Sequence, residues 1–296
     1  MKTADVQAMP VPPNLVKSLL GGFDIISNHI TLIAFSVSLD LFLWLGPRLS
    51  LEQLISDIFT QALAMPEAQT PEMSSLLQNS QAMWQITIWQ VTSLMETIGL
   101  WVLLVIVGFL MGTLYFTLVS QAVLQGKVDL PLAIRQWPAF ARNVILLAIF
   151  WLILFLGVGL PLVCMLSFML ISGINIGQLA ILIYAVLVVW VFFPLAFSPH
   201  GIFTFQSGTW AAVVQSLQMT RATLPTTGLF LLAALVLILG LNSVWRLPEE
   251  TSWLTIVGVL GHGFITSGIL AASFVYYRDT QRFLREKAQA SENNLA

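Results

Sequence analysis

The chain has 296 residues, 57% of them hydrophobic and only 9% charged, against about 25% charged in ordinary soluble domains. Between Arg142 and Arg221 there is no Asp, Glu, Lys or Arg; a soluble fold has no place for such a run, which puts the chain in a membrane and leaves no room for a separate soluble catalytic domain. The formal net charge of −2 comes with no basic stripe for nucleic acid, and the single Cys164 excludes an intrachain disulfide or a thiolate metal cage.

Residues 1–13 are polar and include three prolines, unlike the basic-then-apolar layout of a cleaved signal peptide, so this segment is expected to be retained. Val16, Leu19, Leu20, Phe23, Ile26 and Ile30 then share one helical face, with Lys17 and Asp24 opposite, which predicts an interfacial helix completing a cytoplasmic segment 1–29. The first span is expected over 30–46, closed by Gly46-Pro47. An acidic outer loop, 47–97, follows. Ser50 and Gln53 are spaced as a capping box before an amphipathic helix through Leu51, Leu54, Ile55 and Ile58, and a second helical stretch is expected through Trp84, Ile88, Val91 and Met95. A loop this long is either a partner-binding surface or a cap on the outer leaflet.

The second span is 98–120. Residues 121–143 carry Lys127, Arg135 and Arg142, and with Leu130, Ala133, Ile134 and Trp137 on one side they predict another interfacial segment, broken at Pro138. The third span, 144–171, is expected to kink at Pro161. The fourth, 178–197, ends between Pro194 and Pro199. Trp210, Val213, Val214, Leu217 and Leu224 then predict a third interfacial helix, before spans at 226–245 and 253–277 and a polar cytoplasmic tail, 278–296. The three interfacial segments share apolar offsets of zero, three, four and seven: Val16, Leu19, Leu20, Phe23; Leu130, Ala133, Ile134, Trp137; Trp210, Val213, Val214, Leu217. Any amphipathic helix gives these offsets, but their recurrence before each outward span suggests three helical hairpins.

Basic residues fix the expected threading. With the N-terminus inside, the inner segments hold Lys2, Lys17, Lys127, Arg135, Arg142, Arg221, Arg278, Arg282, Arg285 and Lys287, and the outer loops only Arg48 and Arg246. The predicted class is therefore an all-α integral membrane protein of six transmembrane helices, with both termini cytoplasmic, in the cell (inner) membrane. The run from Asp40 to Ser50, the segment Trp210-Ala-Ala with Ser216 and Arg221, and the closing Val275-Tyr-Tyr-Arg-Asp resemble stretches of uncharacterised multi-pass bacterial membrane proteins. These in turn are similar to the membrane domain attached to some glycerophosphodiester phosphodiesterases. The resemblance implies a helical membrane fold; the catalytic barrel of those enzymes is absent, so it implies no active site.

Three kinds of residue are candidates for chemistry. Asp40, an acid in the first span, is a candidate ion or proton site, or sits near enough to the outer end to reach water or pair with an arginine. Arg135, Arg142 and Arg221 are candidate contacts to lipid phosphates and would favour anionic lipid. His262, between Gly261 and Gly263, is either a tetrapyrrole ligand in a small-residue notch or a histidine bonding across a helix contact. Gly108 and Gly112, and the ladder Gly263, Ser267, Ala271, allow close helix approach, within one bundle or with a membrane-protein partner. No HExxH, Walker loop, GxSxG or GxGxxG occurs. The expected role is a non-enzymatic scaffold, an accessory subunit of a membrane complex or a membrane-homeostasis protein, with no cofactor. The alternative is a small transporter or permease component for an ion or a small or lipidic substrate.

Overall fold

The computed structural model describes residues 12–46, 48–50, 88–90, 93–172, 177–245 and 252–293. Among them the chain is helical apart from two three-residue strands. The helices are α1 (Leu15–Asn28), α2 (Ile33–Leu45), α3 (Leu94–Gln125), α4 (Leu130–Ile171), α5 (Gly177–Phe192), α6 (Ser198–Phe205), α7 (Thr209–Ala222), α8 (Leu224–Trp245) and α9 (Leu254–Asn293), with 3-10 turns at Ile30–Leu32 and Phe193–Leu195. Five stretches are long and apolar enough to cross a membrane: Leu94–Gln125, Leu130–Met169, Leu182–Phe205, Leu224–Leu241 and Leu254–Asn293. A sixth is reached if α1 and Ile30–Leu45, bent by 92° at their junction, count as one broken span or re-entrant loop. This is the make-up of a multi-pass membrane protein.

Local signals set the helix ends. Asn14 caps α1, its Oδ1 accepting the amides of Val16 and Lys17 at 3.0 and 3.2 Å. α1 stops without a glycine or proline: the His29 amide bonds the carbonyls of Ile25 and Ile26, and its ring Nδ1 lies 3.1 Å from the Ile25 oxygen. The span expected at 30–46 is therefore a 3-10 turn followed by α2, whose 13 residues reach only about 20 Å. At the far end of α3, Gly126 adopts φ +66° and bonds back to the Ala122 carbonyl at 3.1 Å, a conformation glycine adopts without penalty. Asp129 then caps α4 through the Leu132 amide at 3.0 Å, while its own amide donates to Gln121 Oε1 at 3.0 Å.

α4 runs for 42 residues with Pro138 and Pro161 inside it, so the break expected at Pro138 within 121–143 is absent and that segment is helical with the third span from Leu130 on. The missing donor at Pro138 is tolerated beside a tether: Trp137 Nε1 donates to the Leu110 carbonyl of α3 at 3.0 Å. The fourth span is longer than expected too. After α5 the chain tightens into the 3-10 turn around Pro194 and continues as α6, with Pro199 in its first turn, where its lack of an amide proton costs nothing.

Two compact units are present, Met1–Val37 with Phe109–Ala296, and Ser38–Gly108. In the second, strand β1 (Arg48–Ser50) pairs in parallel with β2 (Ile88–Gln90), so Ile88 lies in a strand where helix was expected. Ser50 ends β1, and the amphipathic helix expected from Leu51 lies outside the described residues. Ser93 is the cap that starts α3, accepting the Glu96 amide at 3.1 Å.

The first unit is organised around α9. Its stretch from Ser267 to Thr280 is buried at Ser267, Gly268, Ala271, Ala272, Phe274, Tyr276, Tyr277 and Thr280, and its α1 contact is the most intimate. Gly22 lies directly on the backbone of Ala272, where even a methyl group would collide, and Gly268 receives the Phe23 ring in the same way. Small residues bring helices together where lipid offers apolar side chains no reason to turn inward. The sequence stripes are split by this packing, with Ile26 and Val213 inside and Val16, Leu20 and Trp210 outside. In α1, Ser18, Gly22 and Ile26 are buried while Val16 and Leu20 are 57% and 65% exposed; in α7, Ala212, Val213, Ser216, Met219 and Thr220 are buried while Trp210 is 71% exposed. In α4, Ala133 goes inward and Leu130 and Ile134 stay out.

Candidate functional site

Polar contacts fasten α9 to α2, α3, α6, α7 and α8. Near the start of its buried stretch, Ser267 donates to the Gly263 carbonyl at 2.6 Å and receives the Tyr115 hydroxyl of α3 at 2.7 Å; Ser36 of α2 lies 3.3 Å from both oxygens. Further along, Ser273 Oγ is 2.7 Å from His200 Nε2 on α6. The Tyr276 hydroxyl meets Thr227 of α8 at 3.1 Å, with its ring stacked on Phe230 at 4.4 Å. The Tyr277 hydroxyl donates to Gln215 of α7 at 3.3 Å. Beyond them, Arg278 donates to the Val123 carbonyl at 3.0 Å, filling an acceptor that the end of α3 leaves open, and to Asp279 at 2.9 Å.

His200 is not among the residues that the sequence singles out. It is buried among Phe116, Phe197, Phe274 and Tyr277, with the Phe274 ring 4.5 Å away. Its contact to Ser273 has the spacing of a nucleophile and its base. The hydrogen-bond network argues against that chemistry. Ser273 donates its own proton to the Leu270 carbonyl at 2.7 Å, so Nε2 must be the donor between the pair, and the tautomer assigned in this way leaves Nδ1 as a bare acceptor. Nδ1 has no hydrogen-bond partner, so no third group orients the ring as a general base would require. The signal for this site was the density of Phe192, Phe193, Phe197, Phe203 and Phe205 around the one histidine of an uncharged run.

The break between α5 and α6 is closed in a similar way. The Pro194 carbonyl accepts Ser216 at 2.8 Å and Thr220 at 3.4 Å, both from α7. An unwound carbonyl in a membrane helix is a possible cation ligand; this one is already engaged by two hydroxyls.

A second feature is open. Beside the α1–α9 seam lies a groove of about 820 Å³ lined by Lys17, Asp24, Arg278 and Asp279 together with Asn14, Gly21 and the apolar Val16, Leu20, Ile25 and Val275.

The residues singled out from the sequence are not gathered into one place. Asp40 is half-buried in the second unit, and the groove does not include it. His262 lies 3.4 Å through Nε2 from Thr266 one turn on, and the notch beside it is filled: a methyl on Gly263 would meet Val37 at 2.7 Å and Ile33 at 3.3 Å. Arg135, Arg142 and Arg221 are all exposed. Gly112, by contrast with Gly263, has nothing within 4 Å of where a side chain would begin. Among the described residues, no group of three or more His, Cys, Asp or Glu is placed to hold a metal ion.

Comparison with protein-family models found no match. Neither the curated proteins nor the solved structures gave one.

Proposed function

We propose that this chain is a non-enzymatic membrane protein, a scaffold, an accessory subunit of a membrane complex or a membrane-homeostasis protein. The observation that carries the reading is the double capping of the Pro194 carbonyl by Ser216 and Thr220: the acceptor a helix break sets free serves the fold. The hydroxyl contacts around α9, to a hydroxyl, an imidazole or an amide, support the same reading, because each links two helices without a carboxylate or lysine. On this reading the chain sits in the cell membrane with both ends cytoplasmic, as the ten basic residues of the inner segments against two outside favour, and α1 and α7 turn their exposed apolar stripes to the interface. Arg135, Arg142 and Arg221 then reach lipid phosphates. The likeness to membrane domains of glycerophosphodiester phosphodiesterases adds a helical membrane fold to this reading and nothing catalytic.

One observation favours the alternative of a small transporter. α1 and the segment Ile30–Leu45 form a bent pair at 92°, and discontinuous helices are the usual frame of a transport site; Asp40 lies on the second half. Proteoliposomes separate the two. With the purified chain reconstituted and a pH- or cation-sensitive dye inside, the scaffold reading expects flux equal to that of empty liposomes for both the native chain and Asp40→Asn. Flux in the native chain that Asp40→Asn abolishes would replace it with the transport reading.

A further inference from the structure

We infer that the outward face of the first half of α4 holds a diphosphatidyl lipid, two phosphodiesters joined through a glycerol that keeps a free hydroxyl, between Arg135 and Arg142. The inference rests on the proposed contact of these arginines with lipid phosphates and goes further by naming the lipid.

The face comes from the register of α4. Ala133, Phe140 and Leu147 are buried at intervals of seven and mark the side turned into the bundle. Arg135 and Arg142 stand two positions on from Ala133 and Phe140, about 200° round the helix, and both are exposed. Between them on the same side are Pro138 and Ala139, also exposed, with no long side chain to cover the backbone. Leu130, Ile134, Ile145 and Leu146 flank them, each about half exposed, as an apolar floor for acyl chains.

The depth comes from what this stretch is tied to. The Asp129 amide donates to Gln121, in the last turns of α3, at 3.0 Å. The Asn143 carbonyl accepts the hydroxyl of Thr209, the first residue of α7, at 3.0 Å. In the proposed threading the end of α3 and the start of α7 are both cytoplasmic, so both ends of the stretch stay on that side. α4 has the length for this: its 42 residues reach about 63 Å, twice the roughly 30 Å of hydrocarbon. The two arginines therefore stand side by side at the level of headgroups.

Chemistry selects the lipid. Arg135 and Arg142 are seven residues apart, about 10 Å along the axis, and neither is in an ion pair among the described residues. No Asp or Glu occurs from residue 130 to residue 248, so α4 offers no carboxylate to an ammonium and a zwitterionic headgroup gains nothing from it. Each guanidinium takes one phosphate through two parallel hydrogen bonds. Midway between the two, Pro138 has no amide to give the Ile134 carbonyl, which leaves an acceptor on the exposed face. An ionised phosphodiester has no proton to offer that acceptor; a hydroxyl does. Phosphate, hydroxyl and phosphate in that order make up the headgroup of a diphosphatidylglycerol, and arginine, carbonyl and arginine match it. A lipid with one phosphate fills half of the site.

The test is made on the full-length protein in nanodiscs of choline lipid doped with diphosphatidylglycerol and phosphatidylglycerol at equal phosphate content. Lipid that stays bound after gentle extraction is counted by native mass spectrometry. The native chain is expected to retain the two-phosphate lipid at least about tenfold over the one-phosphate lipid, the scale of one further charge-assisted contact. Arg135→Gln and Arg142→Gln are each expected to bring the two lipids to parity. Pro138→Ala keeps both arginines and returns an amide to the Ile134 carbonyl; it is expected to lower the preference severalfold without lowering the melting temperature, a combination that a folding defect does not give. Lys127→Gln removes a positive charge that lies before α4 and is expected to leave the preference unchanged. Equal retention of the two anionic lipids by the native chain, both above choline lipid, would overturn the assignment and leave the arginine–phosphate reading standing; retention of neither would overturn both. A preference that survives either arginine variant or Pro138→Ala, or that Lys127→Gln removes as well, would also overturn the assignment. None of these outcomes bears on the flux measurement that decides between scaffold and transporter.

Discussion

Alanine at Gly22 and alanine at Gly112 are the same chemical change with opposite expected signs. Both glycines are interior helix positions, α1 for one and α3 for the other, so both replacements gain roughly 0.5–1 kcal/mol from helix propensity. At Gly112 nothing lies within 4 Å of the new methyl, and the gain stands alone. At Gly22 the methyl meets the nitrogen, Cα and Cβ of Ala272. A backbone cannot rotate aside, so the clash falls at or above the usual overpacking cost of about 1–3 kcal/mol. Because the propensity gain is common to both, the difference between the two variants isolates the seam. For a chain of this size 1 kcal/mol corresponds to about 2 °C in Tm; Gly22→Ala should lower the apparent melting temperature in detergent by a few degrees and Gly112→Ala should raise it slightly. The assay is circular dichroism at 222 nm on both variants at one scan rate, since unfolding of such proteins is often irreversible. Two shifts of the same sign and size would refute the claim that α1 and α9 meet backbone to backbone.

Ser273→Ala leaves His200 buried with neither ring nitrogen paired and should cost about 1–3 kcal/mol; adding His200→Phe should recover most of that loss, because an apolar ring then fills an aromatic surrounding, and thermal melts of both variants check it. Gln206, which ends α6 at φ +51°, should become easier to accommodate as glycine, with Gln206→Gly raising stability by up to about 1 kcal/mol in the same assay. Asp129→Ala removes the α4 cap and should cost about 1 kcal/mol, with faster hydrogen exchange confined to the first turn of α4.

The helical membrane class was legible because apolar length alone decides it: a run without charge from Arg142 to Arg221 leaves no other solution. The packing of the small residues was not: the apolar stripes of α1 and α7 predict interfacial helices, and periodicity alone does not show that Ser18, Gly22, Ser216 and Thr220 turn to the interior while Val16, Leu20 and Trp210 stay exposed. Pro138 was expected to break the chain, yet α4 runs through it, since a long helix held by its neighbours can forgo single bonds. The break at His29 went unseen because a side chain and two backbone bonds end the helix there, with no glycine or proline to signal it. His200 and Ser273 are 73 positions apart, and only the fold brings them together.

The account stands on the large apolar side chains left exposed along the spans facing lipid, while hydroxyls and small residues fasten the helices to one another inside. Trp190, 74% exposed within the stretch Leu182–Phe205, tests this directly. A variant keeping Trp190 as its only tryptophan, reconstituted in lipids brominated along the acyl chain, should lose most of its fluorescence relative to unbrominated lipid. Fluorescence unaffected by the bromines would mean that this face is covered by protein or water, and would contradict the arrangement.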